Sequence, residues 1–429
     1  MDKASALVIT VGGSPEPIIH SLSQHRPEAI YFIASSGSKG EVPSILQEAY
    51  HDGCEAKQHT FVVDDPNDLV SCFRRCHEVF EDIRRLGIGG ENVIVDPTGG
   101  TKIMSAALLL AATELGLRVS YVGGKERTNR GLGVVVTGTE KILYSAHPYD
   151  ILAKSGKERF CHYFNSYRFS PALDICNEII ERGSPRMKSI FKALRKIVEG
   201  YRDWDLFRYR SCLHSIESGL NALQRLAGQY PEDVERLDRF IEDVQENVVE
   251  LKKTLDSLPK EKISFEMVEE LLANAFRRAE EGKYDDAVAR LYRALEMIAQ
   301  WRFIAKFGRS TSKFPLELLD RDLRGELFPG LSNDSSHDIA CKKAFAVLSR
   351  IGDDYGNLFR ENYDQGIRAL LDRRNNSITA HGAVPLDEKD FDRFYELFKN
   401  VFKVDGSRIR FPKLDSLTLE TVGFGEGGA

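Results

Sequence analysis

At 429 residues, with 42% hydrophobic and 29% charged residues, the chain has globular composition and is too long for one ordinary core, so two or three domains are expected. No apolar run approaches the ~20 residues of a membrane helix, and the MDKASALVITVGG start lacks the basic, apolar and cleavage segments of a secretory signal. A formal net charge of −6 excludes a large sequence-independent phosphate footprint, so any contact with RNA must be local.

In chain order, Ser5-Ala-Leu-Val-Ile-Thr-Val11 is a short β-branched apolar run ended by Gly12-Gly13-Ser14-Pro15, which reads as a buried strand entering a tight loop. The pattern recurs where Glu28 to Ala34 meets Ser35-Ser36-Gly37-Ser38 and where Asn92 to Asp96 meets Pro97-Thr98-Gly99-Gly100. Helical stretches lie between these runs. Strands without polar alternation, separated by helices, predict a parallel sheet covered on both faces, with any ligand at the carboxyl ends of the strands. Seven scattered cysteines fit reduced thiols in a cytoplasm. Cys72, Cys76 and His77 approach a metal-ligand spacing, but with no second pair nearby they read as a buried thiol face.

Ile103 to Leu117 is a helix apolar nearly all round, hence buried on more than one side. Arg118 to Gly123 then reads as a fourth strand, and Gly131 to Thr137 with Glu140 to Tyr144 as a terminal hairpin. From about residue 150 the 3.6-residue period takes over, with breaks at Gly183-Ser184-Pro185, Tyr230-Pro231 and Leu258-Pro259. Val234, Leu237, Ile241, Val244, Val248, Leu251 and Leu255 predict one long amphipathic helix. Segments starting at Tyr167, Phe207 and Tyr284 each place an aromatic before small and apolar helix residues, but their unequal spacing supports helix pairs and not a regular solenoid. The division expected is 1–150, an α/β domain; 151–260, a helical connector; 261–405, a helical domain; and 406–429, a tail whose Gly-rich end frays.

In Asp96-Pro-Thr-Gly-Gly-Thr-Lys102, the glycines let backbone N–H groups approach a ligand, the following helix directs its positive end there, and Lys102 adds a charge. The spacing is neither a Walker A loop nor G-x-G-x-x-G, which removes the ATPase and dinucleotide readings. One such loop is an ordinary β–α turn. Three polar loops at one sheet edge, one carrying Lys, predict a binding site.

Arg374 and His381 are seven apart, so on a continuous helix they share a face some ~10 Å apart and both could reach one phosphate. Gly382 and Pro385 are a helix-stop signature that leaves His381 at an exposed end, where the helix dipole favours a protonated imidazole. Asn375-Asn376-Ser377-Ile378-Thr379 consists of weak helix formers, so the helix is distorted there or the polar groups have a task. Arg208 and His214 satisfy a similar spacing within an aromatic-rich helix, where a core-edge His is the ordinary explanation. Spacing does not choose between the pairs, and taken alone each reads more readily as structural than catalytic.

The Val-Ile-Thr-Val-Gly-Gly-Ser-Pro-Glu-Pro start and the Asp96 to Lys102 loop resemble the CARF domain of CRISPR-associated proteins. Arg374-Asn375 with Ala380-His381-Gly382, preceded by Phe265-Glu-Met-Val-Glu-Glu-Leu-Leu-Ala-Asn and Tyr284 to Glu296, resembles a HEPN ribonuclease domain. The resemblance covers most of the chain. It implies a Rossmann-like parallel-sheet CARF domain, a helical connector and a helical HEPN domain, working as a cytoplasmic homodimer without a membrane. It further implies activation by cyclic tetra-adenylate or cyclic hexa-adenylate from a type III CRISPR complex, with metal-independent cleavage of single-stranded RNA and 2′,3′-cyclic phosphate products. Carried over to this sequence, Arg374, Asn375 and His381 form the nuclease triplet. Gly12, Gly13, Ser14, Ser35, Ser36, Thr98, Gly99, Gly100, Thr101 and Lys102 line the ligand pocket. The rival from another class is a non-catalytic nucleotide-sensing regulator with a helical dimerisation or protein-binding module.

Overall fold

The computed structural model describes residues 4–51, 53–124, 139–144, 147–257, 263–331, 336–406 and 409–423. A six-stranded sheet opens the chain, built from β1 (Ala6–Val11), β2 (Ala29–Ser35), β3 (Lys57–Val63), β4 (Val93–Asp96), β5 (Arg118–Gly124) and β6 (Glu140–Tyr144) in the order β3-β2-β1-β4-β5-β6. The first five strands run parallel, and β6 pairs antiparallel with β5. All six residues of β1 are buried because both faces are covered. Ala6 and Val8 point to α3 (Leu69–Arg85) and α4 (Lys102–Glu114), whereas Leu7 and Ile9 point to α1 (Glu16–His25) and α2 (Val42–Ala49). Cys72 and Cys76 are buried in the first of these cores, and burial pushes the Cys76 thiol up to about 12.

Two expectations for this domain change. The strand β3 was not foreseen, because it is an edge strand whose Lys57 and Gln58 are exposed and whose sequence lacks an apolar run. The Arg118 strand is therefore fifth in the chain and not fourth. Of the expected terminal hairpin, Glu140–Tyr144 is a strand, while residues 131–137 lie outside the described residues.

Helices α5 (Pro148–Leu152), α6 (Lys154–Asn165), α7 (Phe169–Arg182), α8 (Pro185–Asp205) and α9 (Tyr209–Ala227) follow. The expected long helix after Tyr230 is two, α10 (Pro231–Glu235) and α11 (Asp238–Ser257). At the break, buried Asp233 accepts hydrogen bonds from Arg186 (2.6 Å) and the Gly423 N–H (2.9 Å), and Arg236 donates to the Thr421 carbonyl (2.7 Å). One straight helix would forfeit these anchors. The apolar stripe is kept, with Val234, Leu237, Val244, Val248 and Leu251 all buried.

The three aromatic-led segments share a backbone device. Tyr167, Phe207 and Gly282 adopt φ of 59°, 60° and 74°, each ending a helix. The next residue's N–H then reaches back, Arg168 to Tyr163, Arg208 to Asp203 and Lys283 to Arg278, at 2.8, 2.8 and 2.9 Å. These closures join α6 to α7, α8 to α9, and α12 (Phe265–Glu280) to α13 (Tyr284–Phe307).

Helices α12 and α13 form a separate core with α14 (Arg321–Leu327), α15 (Cys341–Arg350), α16 (Asp354–Asn362), α17 (Arg368–Asn375) and α18 (Glu388–Leu397). Residues 409–422, the expected tail, pack against the connector. Phe411 lies in its aromatic core near Tyr201 and Trp204, and buried Lys157 donates to the Glu420 and Val422 carbonyls at 3.1 and 2.6 Å. A polar cluster joins α8 to α12, where Asp205 accepts from Asn274 (2.9 Å), Arg277 (2.9 Å) and Arg278 (2.5 Å). Arg277, held on its other side by Glu270 at 2.8 Å, is buried over the Phe411 ring.

Candidate functional site

Strand order reverses between β1 and β4, and the loops after these two strands meet there. A Cβ on Gly12 would lie 2.5 Å from the Gly100 nitrogen, and one on Gly99 would lie 2.1 Å from the Thr10 carbonyl oxygen, so only glycine fits at either place. Gly100 also takes φ +76°, which a side chain would oppose. The loop after β2 is latched to the same edge, since the Ser38 hydroxyl donates to the Val11 carbonyl at 2.9 Å and meets the Ser35 hydroxyl at 3.1 Å. All three polar loops therefore gather at one sheet edge, at the N-terminus of α4.

Hydrogen bonding divides the pocket residues into two groups. Thr98 donates through its hydroxyl to buried Asp96 and accepts the Val122 N–H at 2.8 Å, and Thr101 caps α4 while donating to the Pro66 carbonyl at 2.7 Å. Burial pushes the Asp96 carboxyl up, against the hydrogen bonds from Ser21 and Thr98. These hydroxyls shape the loop. Gly13, Ser14, Ser36 and Lys102 are exposed and have side chains or backbone left to meet a ligand.

In the second site, α17 ends at Asn375, so Arg374 and His381 do not share one continuous helix. The chain instead folds into a compact turn. The His381 N–H donates to the Asn375 carbonyl at 3.1 Å, and Ile378 and Val384 clasp its mouth through the Ile378 N–H to the Val384 carbonyl at 3.1 Å. Gly382 passes so close that a Cβ would lie 2.0 Å from the Asn376 carbonyl oxygen. Five polar or weak helix formers in a row thus mark a helix end, and the exposed His381 sits on a turn and not at a helix C-terminus. Arg374 donates to the Asn375 side chain at 3.1 Å and lies with its guanidinium 4.0 Å from the centroid of the Tyr292 ring on α13. Arg373, one residue earlier, is bidentate to Asp390 of α18 at 2.9 to 3.1 Å. One half-buried cation, one exposed amide and one exposed imidazole are thus carried by a single backbone turn and the helix end it follows, donors of the kind that can grip a phosphodiester.

The chain matches two families along its helical part: the Csm6 6H domain over residues 152–251 and the Csm6 HEPN domain over residues 258–405. It belongs to the Csm6 family of CARF–HEPN proteins. No curated protein sequence matches it. Among solved structures, Enterococcus italicus Csm6 bound to cyclic hexa-2′-fluoro-hexa-dAMP is 11% identical, aligns over 98% of both chains and has a TM-score of 0.56, which shows the shared fold. Can2 from Sulfobacillus thermosulfidooxidans, in complex with cyclic tetra-adenylate, is 16% identical over 42% of this chain and 49% of its own, with a TM-score of 0.25.

Both Arg374 and His381 fall within the part matched as Csm6 HEPN, whereas Arg208 and His214 fall within the 6H part. His214 is exposed and not at a core edge, and Arg208 closes the α8–α9 turn with Asp203 at 3.8 Å. Sequence reasoning missed Tyr292, Arg373 and Asp96. Tyr292 and Arg373 lie on different elements from the groups they serve or oppose, so no local spacing marks them. Asp96 carried a signal, a carboxylate at the end of an otherwise apolar strand.

Proposed function

We propose that this Csm6-family protein is an endoribonuclease of type III CRISPR defence, in which a cyclic oligoadenylate bound at the β1, β2 and β4 loops activates cleavage of single-stranded RNA at Arg374, Asn375 and His381. The domain division carried by this reading is a sensor over 1–150, a connector over 151–260 and a ribonuclease domain over 261–405. The observation that carries it is the Arg374–Asn375 side-chain pair clasped to the His381 backbone inside the HEPN-matched segment.

The donor set favours transesterification. Arg374, Asn375 and His381 offer cationic and amide donors, not the carboxylate oxygens that hold two metal ions. The RNA 2′-hydroxyl attacks the adjacent phosphorus, the bond to the 5′-oxygen breaks, and the products carry a 2′,3′-cyclic phosphate and a 5′-hydroxyl. His381 donates a proton to the leaving oxygen or accepts the 2′-hydroxyl proton; Arg374 stabilises charge on the phosphorane, and Asn375 holds Arg374 in place. Asn375 and His381 are both exposed, which leaves them open to a second copy that adds its own set in a homodimer. Purified protein, labelled single-stranded RNA and either cyclic tetra- or hexa-adenylate test the reading. Cleavage that needs one of the two rings and persists in EDTA supports it; no cleavage with either ring favours a non-catalytic regulator.

A further inference from the structure

The opposite edge of the sheet carries a second cationic feature. A crevice of about 1040 Å3 lies where the N-terminal ends of β4 and β5 meet the start of α8. Arg84 of α3, Arg118 of β5, and Lys188 and Lys192 of α8 line it. Among the described residues, none of the four has a carboxylate within ion-pair distance or a side-chain hydrogen bond, although Glu91 and Glu181 also border the crevice. Their neighbours behave differently. On the same helix Arg186 pairs with Asp233 at 2.6 Å, and Arg195 and Lys196 pair with Glu199 at 3.5 and 2.8 Å. The unpaired cations of α8 are those that face the crevice.

Two buried polar atoms there also lack partners. The Arg118 Nε has none, and His147, whose side chain is 7% exposed, leaves Nδ1 without a hydrogen bond, 3.9 Å from Asp150. Burial holds the His147 imidazole below its ordinary value against the opposing pull of Asp150 and a hydrogen bond with the Gly116 backbone, and the charges of Lys188 and Arg118 add to the lowering. The N-terminus of α8, a helix of 21 residues capped by Ser184, opens on the crevice through Pro185. Ile88 and Leu115 supply an apolar wall. Four cations lining one crevice with no carboxylate in ion-pair reach of them repel one another, a cost that a bound anion offsets, and the volume is just above the ~300–1,000 Å3 of small-molecule sites.

We propose that this crevice binds a nucleoside polyphosphate, its phosphates held by Arg84, Arg118, Lys188 and Lys192 and its base against Ile88 and Leu115. The site is separate from the glycine loops, which occupy the carboxyl ends of the strands. It also lies at the junction of the sheet domain with the connector, where Gly116 packs so tightly that a Cβ would lie 2.1 Å from the Arg182 carbonyl oxygen. An occupant would therefore touch both domains and stabilise their contact by mass action.

Equilibrium dialysis of the full chain with labelled ATP tests the site, using inorganic triphosphate and adenosine as competitors. Saturable binding that weakens with salt, and that is displaced by triphosphate but not by adenosine, is expected. The double variant Lys188→Ala/Lys192→Ala should weaken it about tenfold or more while melting at the wild-type temperature, and Lys102→Ala should leave it unchanged. Absence of saturable binding up to about 1 mM ATP overturns the proposal. So does binding lost in Lys102→Ala but kept in the double variant, which would place ATP at the glycine loops.

Discussion

Arg373 and Arg374 are adjacent on α17, yet one guanidinium is tied to Asp390 and the other lies on the Tyr292 ring and donates to the Asn375 side chain. Arg374→Ala and His381→Ala are expected to lower activator-stimulated RNA cleavage by about a hundredfold or more with unchanged melting, as measured on the same preparations. Arg373→Ala should instead lower the melting temperature, since it strands Asp390. The ring of Tyr292 is what faces Arg374, so Tyr292→Phe should cleave within about twofold of wild type and Tyr292→Ala about tenfold more slowly. Equal losses in both would contradict a positioning role for the ring. The residues that touch RNA in this account were legible in the sequence as types at a spacing. Their supports were not, because Tyr292 is brought to Arg374 by the packing of α13 on α17.

In the proposed mechanism the chemistry rests on the turn between α17 and α18. Gly382→Ala should abolish cleavage with Arg374 and His381 intact, because the added methyl meets the Asn376 carbonyl; unaltered cleavage would show that the turn is not held as described. The Arg373–Asp390 pair fixes one side of this turn, and Arg373 holds the Asp390 carboxyl below its ordinary value of 3.8. Its contribution is full above that value and is lost as the pH falls through the lowered one. The stability gap between wild type and Asp390→Asn, followed by urea unfolding, should accordingly narrow below pH 3.8 and stay constant near neutrality. Among the sheet elements, β1, β2 and β4 were legible because burial on both faces leaves a continuous apolar run. The edge strand β3 was not, having one side in water, and neither was the break between α10 and α11, which depends on anchors from residues 421–423 far along the chain.

Across the whole molecule, the proposed sensor and ribonuclease sites lie in the N-terminal sheet domain and the C-terminal helical domain, and the helices between them are fastened to α12 through Asp205 and the buried Arg277. Asn274 of that cluster also accepts from Arg290 of α13, the helix that carries Tyr292, so a shift of α8 has a packed route toward Arg374. In the proposed reading the two sites are coupled along this route and respond differently to damage. The most direct test is the single-turnover cleavage rate as a function of cyclic oligoadenylate concentration for wild type, Lys102→Ala and His381→Ala. The account predicts that Lys102→Ala moves the midpoint to higher activator concentration at an unchanged plateau, and that His381→Ala lowers the plateau at an unchanged midpoint. A midpoint unmoved in Lys102→Ala, or a plateau preserved in His381→Ala, would contradict it.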